Sequence, residues 1–333
     1  MNRQFPILLA AFVFLSACDN GDGFAGTTAP PPGPAPGPAP DPVGLNPTNA
    51  KQAARVAFGA SLQSIGLGDM VGAGGIASSP AGNLQKPSFE RSMSGLVSRA
   101  AQKIALGPIV EPCLVFGTTT ISGELETGIP YSVGDTINVD AADCDDGFGE
   151  VVNGRMEITV TAYTGDILFG PTYSLEMSVL LIDFEVATPS ETVVSNGDAT
   201  VLVDTSGDPL FLMSISGSSL TNQYLASSET ISNYQNSQTV DTSVPLAEPY
   251  TLDASGTVAS SQLPTAVSYT TTVTFQGAGA AYPYAGEMLL TAAAGGAVKL
   301  IALNETDVRI ETDADGDDVF ESTEDTTWDD IAL

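Results

Sequence analysis

Asp313, Asp315, Asp317 and Glu324 have the residue type and the spacing of a cation site. They fall on positions 1, 3, 5 and 12 of a calcium loop, with Val319 where a backbone carbonyl contributes and Phe320 on the apolar position after it. Hard carboxylate oxygens at alternate residues converge on one calcium ion, and the ion relieves their mutual repulsion. The sequence departs from this pattern at position 6, where Asp318 replaces the glycine that a sharp turn favours. Starting the frame two residues earlier puts Gly316 there but leaves Ser322 at the last ligand position. Both flanks, Val308–Thr312 and Val319–Thr323, read as strands rather than helices. The competing reading is an acidic hairpin around Asp315-Gly316 with no metal. A second acidic group, Asp143, Asp145 and Asp146, reads as a solvated loop.

Other chemistries are sparsely represented. The chain has no histidine, which excludes Ser-His-Asp and Cys-His nucleophiles, imidazole bases, and zinc or haem sites built on imidazole. No GxSxG, SxxK or GxxxxGK[ST] motif is present. Gly72-Ala73-Gly74-Gly75-Ile76-Ala77 loosely fits a dinucleotide loop, but it follows a helical stretch where that loop requires a strand. Carboxylates are the only abundant catalytic type left, and among 40 acids their pairing in sequence carries no information. The single tryptophan, Trp328, leaves few platforms for sugar stacking and reads as a core residue pinning the last strand. Asn304-Glu305-Thr306 matches a glycosylation sequon by chance. The expectation is a protein that is not an enzyme.

Charge narrows the partners. The chain of 333 residues carries −30 overall, unevenly spread. Residues 48–104 hold six cations against two acids, a balance of +4. From residue 105 onward three cations face 35 acids, near −32. Such a surface repels phosphate backbones and anionic lipid, so nucleic acid is excluded as a partner.

The elements that must position the acidic loop follow from periodicity. Asn46-Pro47-Thr48 supplies a cap for a helix over Ala50–Ile65, ended by Gly66 and Gly68. A glycine-rich loop, 72–82, leads to a second helix over Ser88–Leu106, stopped by Gly107-Pro108. After residue 110 the apolar period becomes two, clearest over Met156–Ala162. In Tyr173–Val186 the parity switches near Leu180-Leu181, which predicts a bulge or a long strand whose two faces are buried in different places. Turn dipeptides at Asp146-Gly147, Asn153-Gly154, Asn196-Gly197, Gly207-Asp208, Gly295-Gly296 and Asp315-Gly316 punctuate the region. The expected fold is mainly β (α+β). It is a large antiparallel meander of about ten to fourteen strands, curled into an open or closed barrel-like sheet, with two N-terminal helices packed against it. The cationic helices either dock on the acidic sheet or are simply solvated.

At the head of the chain, Arg3 precedes an apolar run from Phe5 to Leu15, the length of a signal-peptide core and too short to span a bilayer. Leu15-Ser16-Ala17-Cys18 then resembles the lipobox of Gram-negative bacterial lipoproteins. The resemblance implies that residues 1–18 are a signal peptide, that Cys18 is acylated, for example with palmitate, and that the mature chain is held on the inner or outer membrane facing the periplasm. Residues 19–47 read as a tether, with Ala29–Pro42 in a proline-rich run that cannot build a core. Residues 48–107 form the two-helix segment and 108–333 the β domain. With Cys18 lipidated, Cys113 and Cys144 are an even pair in an oxidising compartment, and a disulfide is expected, two buried thiols being the alternative. The run Gly286–Leu300, the Asp-rich hairpin and Trp328 resemble the endings of uncharacterised proteobacterial lipoproteins.

These readings converge on a lipid-anchored protein of the cell envelope that acts by binding a protein partner or as a structural component. The alternative is a periplasmic carrier of lipid or another hydrophobic ligand, with apolar residues of Tyr173–Val186 lining a cavity. The third is an adhesion or scaffold module stabilised by calcium.

Overall fold

The computed structural model describes residues 43–72, 107–124, 132–145, 147, 149–165, 172–189, 191–244, 247–279 and 281–332. Pro42–Leu333 form one compact unit. Its strands are β1 (Ile109–Pro112), β2 (Phe116–Glu124), β3 (Thr136–Asp145), β4 (Val151–Gly165), β5 (Tyr173–Ala187), β6 (Thr192–Asp204) and β7 (Leu210–Tyr224). They continue as β8 (Ser228–Asp241), β9 (Pro249–Ser260), β10 (Val267–Ala278), β11 (Ala285–Ala292), β12 (Ala297–Ala302), β13 (Asp307–Asp313) and β14 (Ser322–Thr327). All fourteen join one sheet in sequence order, each antiparallel to the next, with β1 and β14 as its edges. The sheet is therefore a meander and is not closed.

Among the described residues, two helices accompany it. α1 (Ala50–Gly72) is the first expected helix, and α2 (Trp328–Ile331) is one turn capped by Thr327. The second expected helix, Ser88–Leu106, and Cys18 lie outside the described residues. α1 runs through Gly66 and Gly68 instead of stopping there. Each helical glycine costs about 1 kcal/mol. Burial of Ile65 and Leu67 on either side of Gly66 offsets that cost.

α1 packs against every strand from β6 to β13 and against α2. Ala53, Ala54, Ala57, Phe58, Ala60 and Ser64 are wholly buried and share one face of the helix, while Gln52, Arg55 and Gly59 on the opposite side are only partly buried. Small side chains let the strands approach closely. Phe58 supplies the bulk, 4.7 Å from the Trp328 ring and 5.7 Å from that of Phe275.

The strands are long and bent at bulges. The expected parity switch in β5 is real. Buried residues alternate from Tyr173 to Leu181, the ladder slips between Leu181 and Phe184, and alternation resumes at Phe184 and Val186. Asp183, in the slip, has φ +45°, and its amide donates to Asn196 Oδ1 on β6 at 2.7 Å. The same device recurs between β3 and β4, where the Asp143 amide (φ +48°) donates to Asn153 Oδ1 at 2.7 Å. Asn153-Gly154 and Asn196-Gly197 are thus bulge dipeptides inside β4 and β6, where hairpin turns were expected. Gly147, Gly207-Asp208, Gly295-Gly296 and Asp315-Gly316 do fall between strands.

A second device concentrates in β7–β10. Gly217 lies directly opposite Tyr234, Gly256 opposite Tyr269, and Gly277 opposite Tyr250. A Cβ added at Gly217 or Gly277 would stand 2.2–2.3 Å from the facing ring or its hydroxyl. Each glycine leaves a trough that the facing aromatic fills, which covers backbone that would otherwise lie bare.

Candidate metal centre and the filled face of the sheet

β13 ends at Asp313, and the chain turns through residues 314–321 before β14. Asp313 is 1% exposed, and its carboxylate accepts the Gly316 amide at 2.7 Å and the Asp318 amide at 2.9 Å. Asp317 Oδ1 accepts the Val319 amide at 2.9 Å. These bonds coil the loop so that carboxylate oxygens of Asp313, Asp315, Asp317 and Glu321 all lie within 4.8 Å of one another. Four carboxylates so close repel strongly unless a cation joins them, and an all-oxygen set suits a hard ion such as calcium. Asp318 has φ +68°, the left-handed backbone for which glycine is usual at that position. Aspartate tolerates this conformation better than most residues, and its amide bond to Asp313 holds it there.

Three of the four sequence-predicted ligands thus converge, and Glu324 is not among them. Glu324 pairs with Ile310 in the β13–β14 ladder, and its carboxylate lies 3.9 Å from Lys51 Nζ. The reason is the flank. A strand advances about 3.3 Å per residue, so Glu324 is carried roughly 10 Å beyond Glu321 instead of coming round a helical turn. Glu321 takes the fourth place. Its signal in the sequence was an acid four residues after Asp317, just before a strand. Phe320 packs its ring under Lys299 Nζ, 4.5 Å from the centroid.

Cys113 and Cys144 form the expected disulfide, with Cα atoms 5.5 Å apart. It ties the β1–β2 turn to β3 across β2, and Thr119 Oγ1 lies 3.3–3.4 Å from both sulfurs. In the other acidic group, Asp145 Oδ1 accepts the Gly147 amide at 2.7 Å and Asp143 stands at the β3 bulge, while Asp146 lies outside the described residues. Asn304 works locally too. Its Oδ1 accepts the amides of Thr306 and Asp307 at 2.8 and 2.9 Å, shaping the β12–β13 turn.

The buried face of the sheet is occupied. Tyr173, Leu175, Met177, Val179, Leu181, Phe184 and Val186 are all core residues. Between α1 and β6–β8 the packing is polar and chained. Ser195 Oγ donates to Asn222 Oδ1 at 2.7 Å, Asn222 Nδ2 to Gln63 Oε1 at 2.7 Å, and Gln63 Nε2 to Tyr224 Oη at 2.6 Å. Asn236 Nδ2 donates to Ser61 O at 3.2 Å and also bonds Ser64 Oγ. Burial raises the Tyr224 hydroxyl far above its usual range, with Glu229 adding to the effect, so it stays protonated. These directional bonds fix the rotation of α1 about its axis, which alanine packing alone leaves loose.

No helix among the described residues is long and apolar enough to cross a membrane. No family model matches the chain, and no curated protein or solved structure is similar to it.

Proposed function

We propose that this chain is a lipid-anchored domain of the bacterial cell envelope, facing the periplasm, that works by binding a partner or as a structural component and not by catalysis. The sheet in this reading is an open barrel curled around α1. The observation that carries it is the burial of α1 against β6–β13, which fills with the protein's own side chains the face a carrier would keep for its ligand. The anchor rests on Leu15-Ser16-Ala17-Cys18, and the oxidising compartment on the Cys113–Cys144 bridge. Asp313, Asp315, Asp317 and Glu321 are proposed to hold one calcium ion that stiffens the β13–β14 hairpin.

Native mass spectrometry of the unit 42–333, purified without detergent and with or without calcium, tests the domain. The expected species is a monomer free of lipid that gains the mass of one calcium. Co-purified lipid would instead make it a carrier. Labelling of the full chain with radioactive palmitate, lost in Cys18→Ser, tests the anchor separately.

A further inference from the structure

The meander puts alternate turns at opposite ends of the sheet. The acidic loop lies at one end, and there too the chain enters the compact unit, the Leu45 amide donating to Gly295 O at 3.0 Å. At the other end, four consecutive turns each carry, within them or at their edge, an exposed large apolar side chain among the described residues. They are Leu210 (46% exposed), Val244 (43%), Tyr284 (41%) and Leu303 (39%). Turns on alternate hairpins stand about 10 Å apart, so the four make a row rather than scattered residues.

The row is fixed. The Thr242 amide and hydroxyl both donate to Pro209 O, at 3.0 and 2.8 Å, joining the Leu210 and Val244 turns. The Gly279 amide donates to Glu248 O at 2.9 Å and Tyr250 Oη to Ala281 O at 2.8 Å, joining the next pair. Trp328 Nε1 bridges the last pair, 3.0 Å from Pro283 O and 3.1 Å from Asn304 O. A surface already held in place loses little entropy on binding.

Its charge is of one sign. Asp208, Glu248 and Glu305 lie in the same turns, Asp241 and Asp307 at the strand ends beside them and Asp329 in α2 next to Tyr282, and the described residues of these turns include no Lys or Arg. Lys51 reaches the rim from α1, where it pairs with Asp330 at 3.1 Å. A second copy would bring the same acids, and anionic lipid the same sign, so both are repelled. What complements apolar tips set among acids is a polypeptide segment with Lys or Arg between apolar side chains.

We propose that this rim, pinned by Trp328, is the docking surface for such a cationic, apolar segment of a partner protein. The proposal deepens the binding part of the function above and needs neither the anchor nor calcium.

The test is fluorescence anisotropy at physiological ionic strength on the unit 42–333, with two labelled peptides, alternating Leu-Lys and alternating Ser-Lys. The Leu-Lys peptide is expected to bind at least about tenfold more tightly. The variant Leu210→Ser/Val244→Ser/Tyr284→Ser/Leu303→Ser keeps the charge and is expected to lose that advantage, while Val115→Ser/Leu225→Ser at the opposite end keeps it. Equal binding of both peptides, or equal loss in both variants, would overturn the proposal. Should the rim variant unfold, the wild type decides, because Trp328 is the chain's single tryptophan and holds two rim turns. Its emission shifts on saturation with Leu-Lys if the rim is the site and stays constant if it is not.

Discussion

Tyr234 lies across Gly217, its partner on the neighbouring strand, and its hydroxyl donates to Asp198 O one strand further on at 2.6 Å. Three strands are locked by one side chain, and the lock needs a residue without Cβ. In Gly217→Ala the new methyl would stand 2.3 Å from both Tyr234 Oη and Asp198 O, so the ring must leave its seat. The expected cost is about 1–3 kcal/mol, read as a lower urea midpoint with unchanged slope. Tyr234→Phe alone is expected to cost about 1 kcal/mol. Added to Gly217→Ala it should cost almost nothing more, because the hydrogen bond is already lost. Additive costs in the double mutant would show that ring and glycine do not act as one unit.

The acidic loop makes a graded prediction for calorimetric titration. Calcium is expected to bind the wild type with a dissociation constant of about 10⁻³ M or tighter. Asp315→Asn and Glu321→Gln should each weaken binding about tenfold or more, whereas Glu324→Gln should leave it unchanged. Asp318→Gly keeps the backbone N–H that donates to the Asp313 carboxylate and suits the positive φ, so binding should be retained and the fold slightly stabilised. Sensitivity at Glu324 with none at Glu321 would reverse the ligand assignment.

Reduction has a size set by the loop that the bridge closes. Cys113 and Cys144 are 31 residues apart, for which chain entropy gives about 3–4 kcal/mol. Cys113→Ser/Cys144→Ser should lower the unfolding free energy obtained from a denaturant titration by that amount, and dithiothreitol should do the same to the wild type and nothing to the variant.

A pH effect follows from Asp198. Burial pushes its carboxyl up, but bonds from the Ser218 hydroxyl and the Ser218 and Ser219 amides outweigh this and hold it below the usual aspartate range. A carboxyl lowered on folding adds stability above its unfolded pKa and loses it as pH falls through the folded one. The advantage of wild type over Ser218→Ala should therefore be full at neutral pH and shrink below about pH 4. Urea midpoints measured between pH 7 and pH 2.5 check it, and an advantage that grows in acid would contradict the assignment.

How much of this was legible in the sequence depends on whether the cause was local. β4 alternates because one face is buried, and Met156, Ile158 and Val160 announce it. The β5 bulge was readable because a slip of one residue reverses which side chains are apolar. Asn153-Gly154 and Asn196-Gly197 misled because asparagine followed by glycine suits both a hairpin and a bulge, and only the partner strand decides. Glu321 was missed for Glu324 because the spacing rule assumes a helical flank, and β14 is pulled straight by its pairing with β13. The glycine–tyrosine pairs were invisible. Gly277 and Tyr250 are 27 positions apart, and nothing local links them.

The placement of α1 sets an order of events for biogenesis. Gln63 meets Tyr224, 161 residues later, and Lys51 meets Asp330, 279 residues later. The helix therefore leaves the ribosome long before any of its partners exist. Its apolar surface must stay shielded until almost the whole chain has followed, because Trp328 is among the last partners it meets. Such separation makes folding slow and leaves early intermediates prone to stick together. Loss of Trp328–Ile331 should therefore be felt first at α1, whose Phe58 packs on the Trp328 ring.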